Sequence, residues 1–174
     1  MTEKKTLATV WLDGCSGCHM SFLDMDEALL EILDRAELVY SPLVDCKKFP
    51  EHVDVTLVEG AISTDADEAK IEMVRSRTGI LVSLGDCAVT ANVPSMRNPI
   101  GVAAILERVS NGQEPRQPSS VPLLCNHARP VHTHVHVDVF VPGCPPSAQT
   151  IHYVLMELLA GRKPDVTSMT RFGA

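Results

Sequence analysis

The sequence predicts an α/β fold of the flavodoxin-like type, with a mostly parallel sheet and helices on both faces. Two observations support this prediction. Runs of β-branched and apolar residues alternate about five times with runs whose apolar residues recur at helical spacing, and such alternation is typical of a parallel sheet. The 174 residues are enough for one domain with a sizeable core, and flavodoxin-like strand order is the expected version at that length.

Five strands are predicted from short apolar and β-branched runs that are bounded by turn residues. They cover residues 6–12, 38–41, 53–58, 79–84 and 135–141. The first run is apolar on both faces, as expected for a central strand of a parallel sheet. Residues 121–131 show no clear pattern and are left unassigned.

The predicted helices lie between these strands. The first follows strand one and has apolar residues at helical spacing: Phe22, Met25, Leu29, Leu33 and Ala36. A second is predicted over residues 65–77, because acidic residues open it and basic residues follow, an order that suits the helix dipole. A third is predicted over about residues 100–109, with Asn98 as its N-cap and Pro99 at its first position.

The last predicted helix has the clearest boundaries. Its apolar stripe covers residues 151–159, and Gly161 and Pro164 mark its end. We therefore expect one flavodoxin-like domain at residues 1–164 and a C-terminal tail at residues 165–174, ordered by contact with something else.

The composition argues against several classes of partner. The formal net charge is −7, and the aromatic residues are one Trp, two Tyr and four Phe, so nucleic acid and anionic membranes are not expected partners. No run of 18 uncharged apolar residues predicts a transmembrane helix. The N-terminal residues show neither an apolar signal region nor a twin-arginine pair, and we expect a cytoplasmic protein.

Four of the six cysteines lie in turns that follow predicted strands. Cys15 and Cys18 follow strand one, Cys87 follows strand four and Cys144 follows strand five. In open parallel α/β sheets, ligands bind outside the carboxyl ends of the strands, so these turns are expected at one edge. In the cytosol, which keeps thiols reduced, metal binding or catalysis is a better expectation than disulfides.

Three chemistries compete for these thiols. A redox pair would need only Cys15 and Cys18, and a structural zinc site commonly uses two local pairs. A [4Fe–4S] cluster takes thiolates from several directions, which favours it for one pair and two single cysteines. Glycines beside the cysteines would let backbone N–H groups approach the cluster sulfur: Gly14, Gly17, Gly85 and Gly143. Spacing alone leaves zinc and a dithiol role open.

Four motifs together resemble the small subunit of [NiFe]-hydrogenases, over about residues 6–160. They are Trp11-Leu12-x-x-Cys15-x-Gly17-Cys18, Val58-Glu59-Gly60, Gly85-x-Cys87 and Pro142-Gly143-Cys144-Pro145-Pro146. The homologous electron-transfer subunit of respiratory NADH dehydrogenase carries two adjacent cysteines, so the spacing here favours hydrogenase. Membrane-bound and periplasmic small subunits have a twin-arginine leader and two further clusters. This sequence shows neither feature. The resemblance is therefore to the short small subunit of cytosolic, bidirectional NAD-linked hydrogenases.

This resemblance implies a function and a ligand set. Cys15, Cys18, Cys87 and Cys144 would bind one [4Fe–4S] cluster. The cluster would relay electrons between the Ni–Fe site of a large subunit and flavin/iron–sulfur diaphorase subunits, in the reaction H2 + NAD+ = NADH + H+. The chain would thus be a subunit of a hydrogen:NAD+ oxidoreductase. The alternative is a non-catalytic assembly module, stabilised by zinc or a cluster, in a larger redox complex.

A bound FMN is a separate hypothesis that the flavodoxin-like edge raises. The expected mark is a phosphate loop rich in glycine and hydroxyl groups, and cysteines occupy the turn after strand one instead. FMN is left open. No catalytic residue is assigned, but Glu59 is expected at the site edge, in a proton-transfer or structural polar role.

The remaining cysteines and histidines receive plainer interpretations. Cys46 and Cys125 match no motif and are expected to be reduced, half-buried thiols. His132, His134 and His136 alternate, which predicts one face of an extended segment, exposed to solvent or to another subunit.

Polar residues near the cysteine turns could act on the site or have only a local structural role. Asp13 and Asp86 flank the turns, where a negative charge would lower the cluster potential. His19 would bond the cluster or a partner, or only start the helix. Arg97, with Asn98 and Pro99, would contact a large subunit or cap the next helix.

Overall fold

The computed structural model describes residues 4–111 and 121–173. Its strands are β1 (Lys5–Trp11), β2 (Ala36–Tyr40), β3 (Val53–Glu59), β4 (Ile62–Thr64), β5 (Thr78–Leu84), β6 (Leu124–Arg129) and β7 (Val139–Val141). Its α-helices are α1 (Gly17–Leu23), α2 (Ala28–Arg35), α3 (Asp65–Ser76), α4 (Asp86–Thr90), α5 (Asn92–Ser95), α6 (Val102–Val109) and α7 (Ala148–Leu159). None of the helices in the described ranges has the length and apolar character needed to cross a membrane.

The main sheet has five strands in the order β2-β1-β3-β5-β7. Every neighbouring pair in it is parallel. Counted along the sheet strands alone, this is the flavodoxin-like order 2-1-3-4-5. The predicted fold class is confirmed.

Apolar side chains pack on both faces of the sheet. On one face, Leu7 and Leu57 belong to a buried cluster with Phe22 of α1 and Leu155 of α7. On the other face, Val10 of β1, Val58 of β3 and Leu81 of β5 belong to a second buried cluster. This cluster also contains Ile71 and Val74 of α3. The period of two along each strand therefore places helices on both faces.

The prediction of one continuous helix after strand one is wrong. The segment forms two helices, since α1 ends at Leu23 and α2 begins at Ala28. Asp26 between them has φ 49°, in the left-handed region that interrupts a helix. Ala36, expected in the helix, begins β2 instead.

The unassigned interval contains β6, which pairs with β4 in a separate antiparallel ribbon. Asn98 fixes this ribbon, since its side chain donates to Ala128 O at 2.9 Å and accepts the Ala128 N–H at 2.8 Å. The prediction of Asn98 as an N-cap is wrong. Gly101 occupies the N-cap, and α6 begins at Val102.

The three alternating histidines do not share a face of an extended segment. Residues 131–133 form a 3₁₀ turn. The strand predicted over residues 135–141 is a strand only over Val139–Val141. The ring of His132 lies edge-on to the ring of Phe140, whereas His134 Nε2 lies 3.0 Å from Glu72 Oε1 on α3. A turn of three residues rotates successive side chains away from the alternation of a strand.

Candidate metal centre

The turn after β1 carries Cys15 and Cys18 against the end of β3. Asp13 and Ala61 exchange two backbone hydrogen bonds, of 3.0 and 2.7 Å. Gly60 has φ 92°, and a Cβ there would lie 2.8 Å from the Leu12 backbone carbon. Only glycine allows this close approach, which fixes the cysteine turn beside Glu59.

The turn after β5 brings Cys87 to the same place. Gly85 has φ 81°, and a Cβ at this position would lie 2.2 Å from Cys18 Sγ. The missing side chain therefore leaves the space that the Cys18 sulfur occupies. Cys87 follows on α4, half-buried.

The turn after β7 supplies Cys144. The backbone N–H of Gly85 donates to Val141 O at 2.8 Å, and that of Asp86 donates to Gly143 O at 2.9 Å. These bonds continue the pairing of β5 with β7 into the two cysteine turns. The Cys144–Pro145 peptide bond is cis.

The four cysteines line one cleft at the carboxyl edge of the sheet. The cleft is also lined by Gly17, Glu59, Asp86, Gly143 and Pro145. Cys18 is buried, whereas Cys15 and Cys144 are exposed, so the thiols lead from the core to the surface. In residues 4–111 and 121–173, no group of three or more Cys, His, Asp or Glu side chains has the arrangement of a site for a metal ion.

The chemistry of this donor set fits a positively charged metal core. Burial raises the pKa of the Cys18 thiol far above its ordinary value, and Glu59 and the other three thiols raise it further. Burial, with Cys144 and Cys15 nearby, raises the pKa of Cys87 to about 11. Four thiolates can share so small a region only when positive charge compensates them, as the irons of a cluster would.

Glu59 and His19 begin a buried chain of hydrogen bonds beside the cleft. Glu59 Oε2 lies 2.6 Å from His19 Nδ1, and His19 Nε2 lies 3.0 Å from Thr9 Oγ1. The Thr9 hydroxyl donates to Ser41 Oγ at 2.7 Å. Glu59 is expected at the site edge from the sequence, whereas Thr9 and Ser41 are not. A hydroxyl within the apolar run of β1 was the available signal.

The two aspartates that flank the turns are used differently. Asp13 is exposed and accepts the Ser63 hydroxyl at 2.5 Å. Asp86 is 1% exposed, and its Oδ1 accepts the Gly143 N–H at 2.7 Å. Arg97 donates to the backbone oxygens of Ser63 and Cys125, at 3.1 and 3.0 Å, so it ties the segment after α5 to the β4–β6 ribbon.

Cys46 and Cys125 are free thiols that do not line the cleft. Cys125 is half-buried as predicted, and burial followed by the Glu68 carboxylate raises its pKa. Cys46 is exposed, so the prediction of half-burial is wrong there. Its Sγ donates to Lys48 O at 3.3 Å, in the loop after β2.

The parallel sheet and the cysteine-lined cleft define an α/β protein of the hydrogenase small-subunit type. The chain belongs to the family described as NADH ubiquinone oxidoreductase, 20 Kd subunit, which matches residues 15–158. It is 37% identical to the NAD-reducing hydrogenase HoxS subunit delta of Cupriavidus necator, over 95% of this chain and 83% of that protein. It is 36% identical to a subunit of the F420-non-reducing hydrogenase (vhu) of Methanocaldococcus jannaschii, over 89% of this chain. The chain spans only 56% of that relative's length.

Solved structures show the same fold. A chain of the NAD+-reducing [NiFe]-hydrogenase in the H2-reduced state matches with a TM-score of 0.92 and 35% identity, over 98% of this chain and 99% of that one. The [NiFeSe] hydrogenase of Desulfovibrio vulgaris Hildenborough matches with a TM-score of 0.57 and 16% identity, over 91% of this chain and 60% of that one. The second likeness shows the fold alone.

Proposed function

We propose that this chain is the electron-transfer small subunit of a NAD-reducing [NiFe]-hydrogenase and holds one [4Fe–4S] cluster on Cys15, Cys18, Cys87 and Cys144. One observation carries the proposal. Thiols from three separate strand ends line a single cleft at the carboxyl edge of the sheet. A cluster with irons at separate corners requires such a supply from several directions.

In this proposal, residues of this chain hold the cluster and shield it from water. The four thiolates would bind the irons, and the φ 81° of Gly85 lets the β5 turn lie against Cys18 without a side chain between them. When bound, the cluster accepts and returns one electron at a time. Cys18 is buried and Cys87 is half-buried, which limits the access of water on that side of the cleft.

The exposed side of the cleft has features of a surface on which a partner subunit docks. Cys144 Sγ lies 3.8 Å from Asn92 Nδ2 at the start of α5. Large apolar side chains on α1 and α5 are exposed nearby, Met20 by 56% and Val93 by 59%. We infer that a large subunit with the Ni–Fe site covers this surface, because such exposed apolar groups mark interaction sites.

The remaining partners follow from the relatives. The similarity to the delta subunit of a NAD-reducing hydrogenase supports diaphorase subunits as the route to NAD. The reaction would be H2 + NAD+ = NADH + H+, in the cytoplasm, where NAD is reduced. FMN is not part of this proposal, since the cysteine turn occupies the place of a flavodoxin-type phosphate loop.

Metal analysis of the anaerobically purified complex tests the proposal. We expect iron and sulfide for one [4Fe–4S] cluster in this subunit and a low-temperature EPR signal after reduction. Cys144→Ser is expected to remove hydrogen-driven NAD reduction while exchange chemistry at the Ni–Fe centre continues. Cys46→Ser is the matched control, because Cys46 is a free thiol that does not line the cleft. Zinc in place of iron and sulfide would instead support the assembly module.

A further inference from the structure

One buried carboxylate joins two of the cysteine turns. Asp86 precedes Cys87, and its backbone N–H donates to Gly143 O at 2.9 Å. In return, Asp86 Oδ1 accepts the N–H of Gly143, which precedes Cys144, at 2.7 Å. The two predicted ligands are therefore held through their preceding residues by a reciprocal pair of hydrogen bonds.

The second oxygen of this carboxylate binds a distant segment. Asp86 Oδ2 accepts the N–H of Gly173 at 2.8 Å. Both carboxylate oxygens thus accept backbone N–H groups, one from the Cys144 turn and one from the segment near the C-terminus. Since Asp86 is 1% exposed, water does not replace these donors.

Residues 165–173, which we call the C-terminal strap, connect this point to the core. Val166 packs against the main apolar cluster beside α7. Thr170 donates its hydroxyl to Pro142 O, in the turn that carries Cys144. A Cβ at Gly143 would lie 3.0 Å from Thr170 Oγ1, so the strap contacts the turn closely.

Apart from Asp86 and the strap, the Cys144 turn is held by the Ser21 hydroxyl, which donates to Pro146 O, and by a short edge strand. Strand β7 has three residues and pairs only with β5 in the sheet that the structure describes. A short edge strand frays more readily than a central one, since it is held from one side. The strap supplies contacts beyond the end of that strand.

We propose that the C-terminal strap holds the Cys87 and Cys144 turns in the arrangement that the cluster requires, with Asp86 as the positioning residue that joins strap and turns. The inference rests on the proposed function. It assigns the strap to cluster retention in addition to fold stability, so its test must measure the cluster itself.

The test compares two threonine variants in the full chain, purified anaerobically with its copurifying subunits. Thr170→Val removes the hydroxyl that bonds Pro142. Thr133→Val is the matched control, because the Thr133 hydroxyl donates to a proline carbonyl, Pro130 O, within its own turn. The measurements are the rate of iron loss to a chelator and the EPR line shape of the reduced cluster.

We expect Thr170→Val to lose iron about fivefold faster, as the removal of one hydrogen bond predicts, and to broaden the EPR signal. Thr133→Val is expected to match the wild type in both measurements. Equal iron loss and identical spectra for Thr170→Val and Thr133→Val would overturn the strap proposal and leave the cluster assignment standing.

Asp86→Asn provides a second variant. An amide can accept at only one of the two positions where the carboxylate accepts, so iron loss should exceed that of Thr170→Val. Iron loss equal to the wild type would count against Asp86 as the positioning residue. A wild-type complex with no iron and sulfide in this chain would instead refute the proposed function itself.

Discussion

Glu59 contacts both the backbone and the side chain of His19. One oxygen, Oε2, accepts the His19 backbone N–H at 2.8 Å and lies 2.6 Å from His19 Nδ1. His19 Nε2 lies 3.0 Å from Thr9 Oγ1, and the Thr9 hydroxyl donates onward to Ser41 Oγ. The network therefore fixes the orientation of the imidazole beside Cys18. It also holds the Glu59 carboxyl group at the wall of the cleft.

Glu59→Gln is expected to raise the midpoint potential of the proposed cluster by tens of millivolts. Removing a buried negative charge beside the thiolates favours the more negative, reduced state. Redox titration followed by EPR measures this shift. Glu68→Gln is the control, since Glu68 pairs with Arg129 and does not line the cleft. An unchanged potential in Glu59→Gln would show that Glu59 has no electrostatic influence on the cluster.

Gly85→Ala is expected to lose the proposed cluster and to lower the free energy of unfolding by about 2–4 kcal/mol. The new Cβ would lie 2.2 Å from Cys18 Sγ, in addition to the cost of φ 81°. Gly101→Ala is matched for backbone strain, because Gly101 has φ 83° and nothing lies within 4 Å of its added Cβ.

Urea unfolding and iron analysis compare the two glycine variants. Gly101→Ala should cost only about 1 kcal/mol and keep its iron. If both variants lost equal stability and both kept their iron, the contact between Gly85 and Cys18 would not matter for the site.

Asp138→Asn is expected to lower the free energy of unfolding at pH 7 by about 1–2 kcal/mol. Burial alone would raise the pKa of Asp138, but the Leu81 N–H, the Arg75 guanidinium and His136 outweigh burial and lower it. A lowered folded-state pKa stabilises the fold above the unfolded pKa of about 4, and this stability is lost as the pH falls through the folded value.

Denaturation across a pH series checks the sign of this effect. The difference between wild type and Asp138→Asn should shrink as the pH falls below about 4. Asp24→Asn, at an exposed helix end, should change stability by less than about 0.5 kcal/mol at any pH. A difference that grows toward acid pH would contradict the assigned pKa direction.

The sheet order and the meeting of the cysteine turns were predictable, because each depends on a local pattern. An apolar run followed by glycine and cysteine defines a strand and its carboxyl end, and parallel order then places those ends together. That these cysteines bind a cluster stays a prediction, as does the division of the chain at residue 164.

The features that were not predictable depend on contacts between distant segments. Asn98 resembles an N-cap in sequence, yet its amide pairs with Ala128 across the β4–β6 ribbon. The helix break at Asp26 has no glycine or proline to mark it. Gly173, expected in a tail ordered by something else, donates to Asp86 of this same chain, a contact that no local pattern encodes.

Cys144 follows β7, one of the two edge strands of the sheet and the last strand in the described residues, whereas Cys15 follows the first. During synthesis, three thiols emerge long before the fourth can reach them. The ribosome must pass residue 144, and the sheet must close at that edge, before the cleft has its full set of donors. On the proposed ligand set, iron–sulfur insertion would therefore be a late step in biogenesis, in which the assembly machinery meets a folded subunit instead of a nascent one.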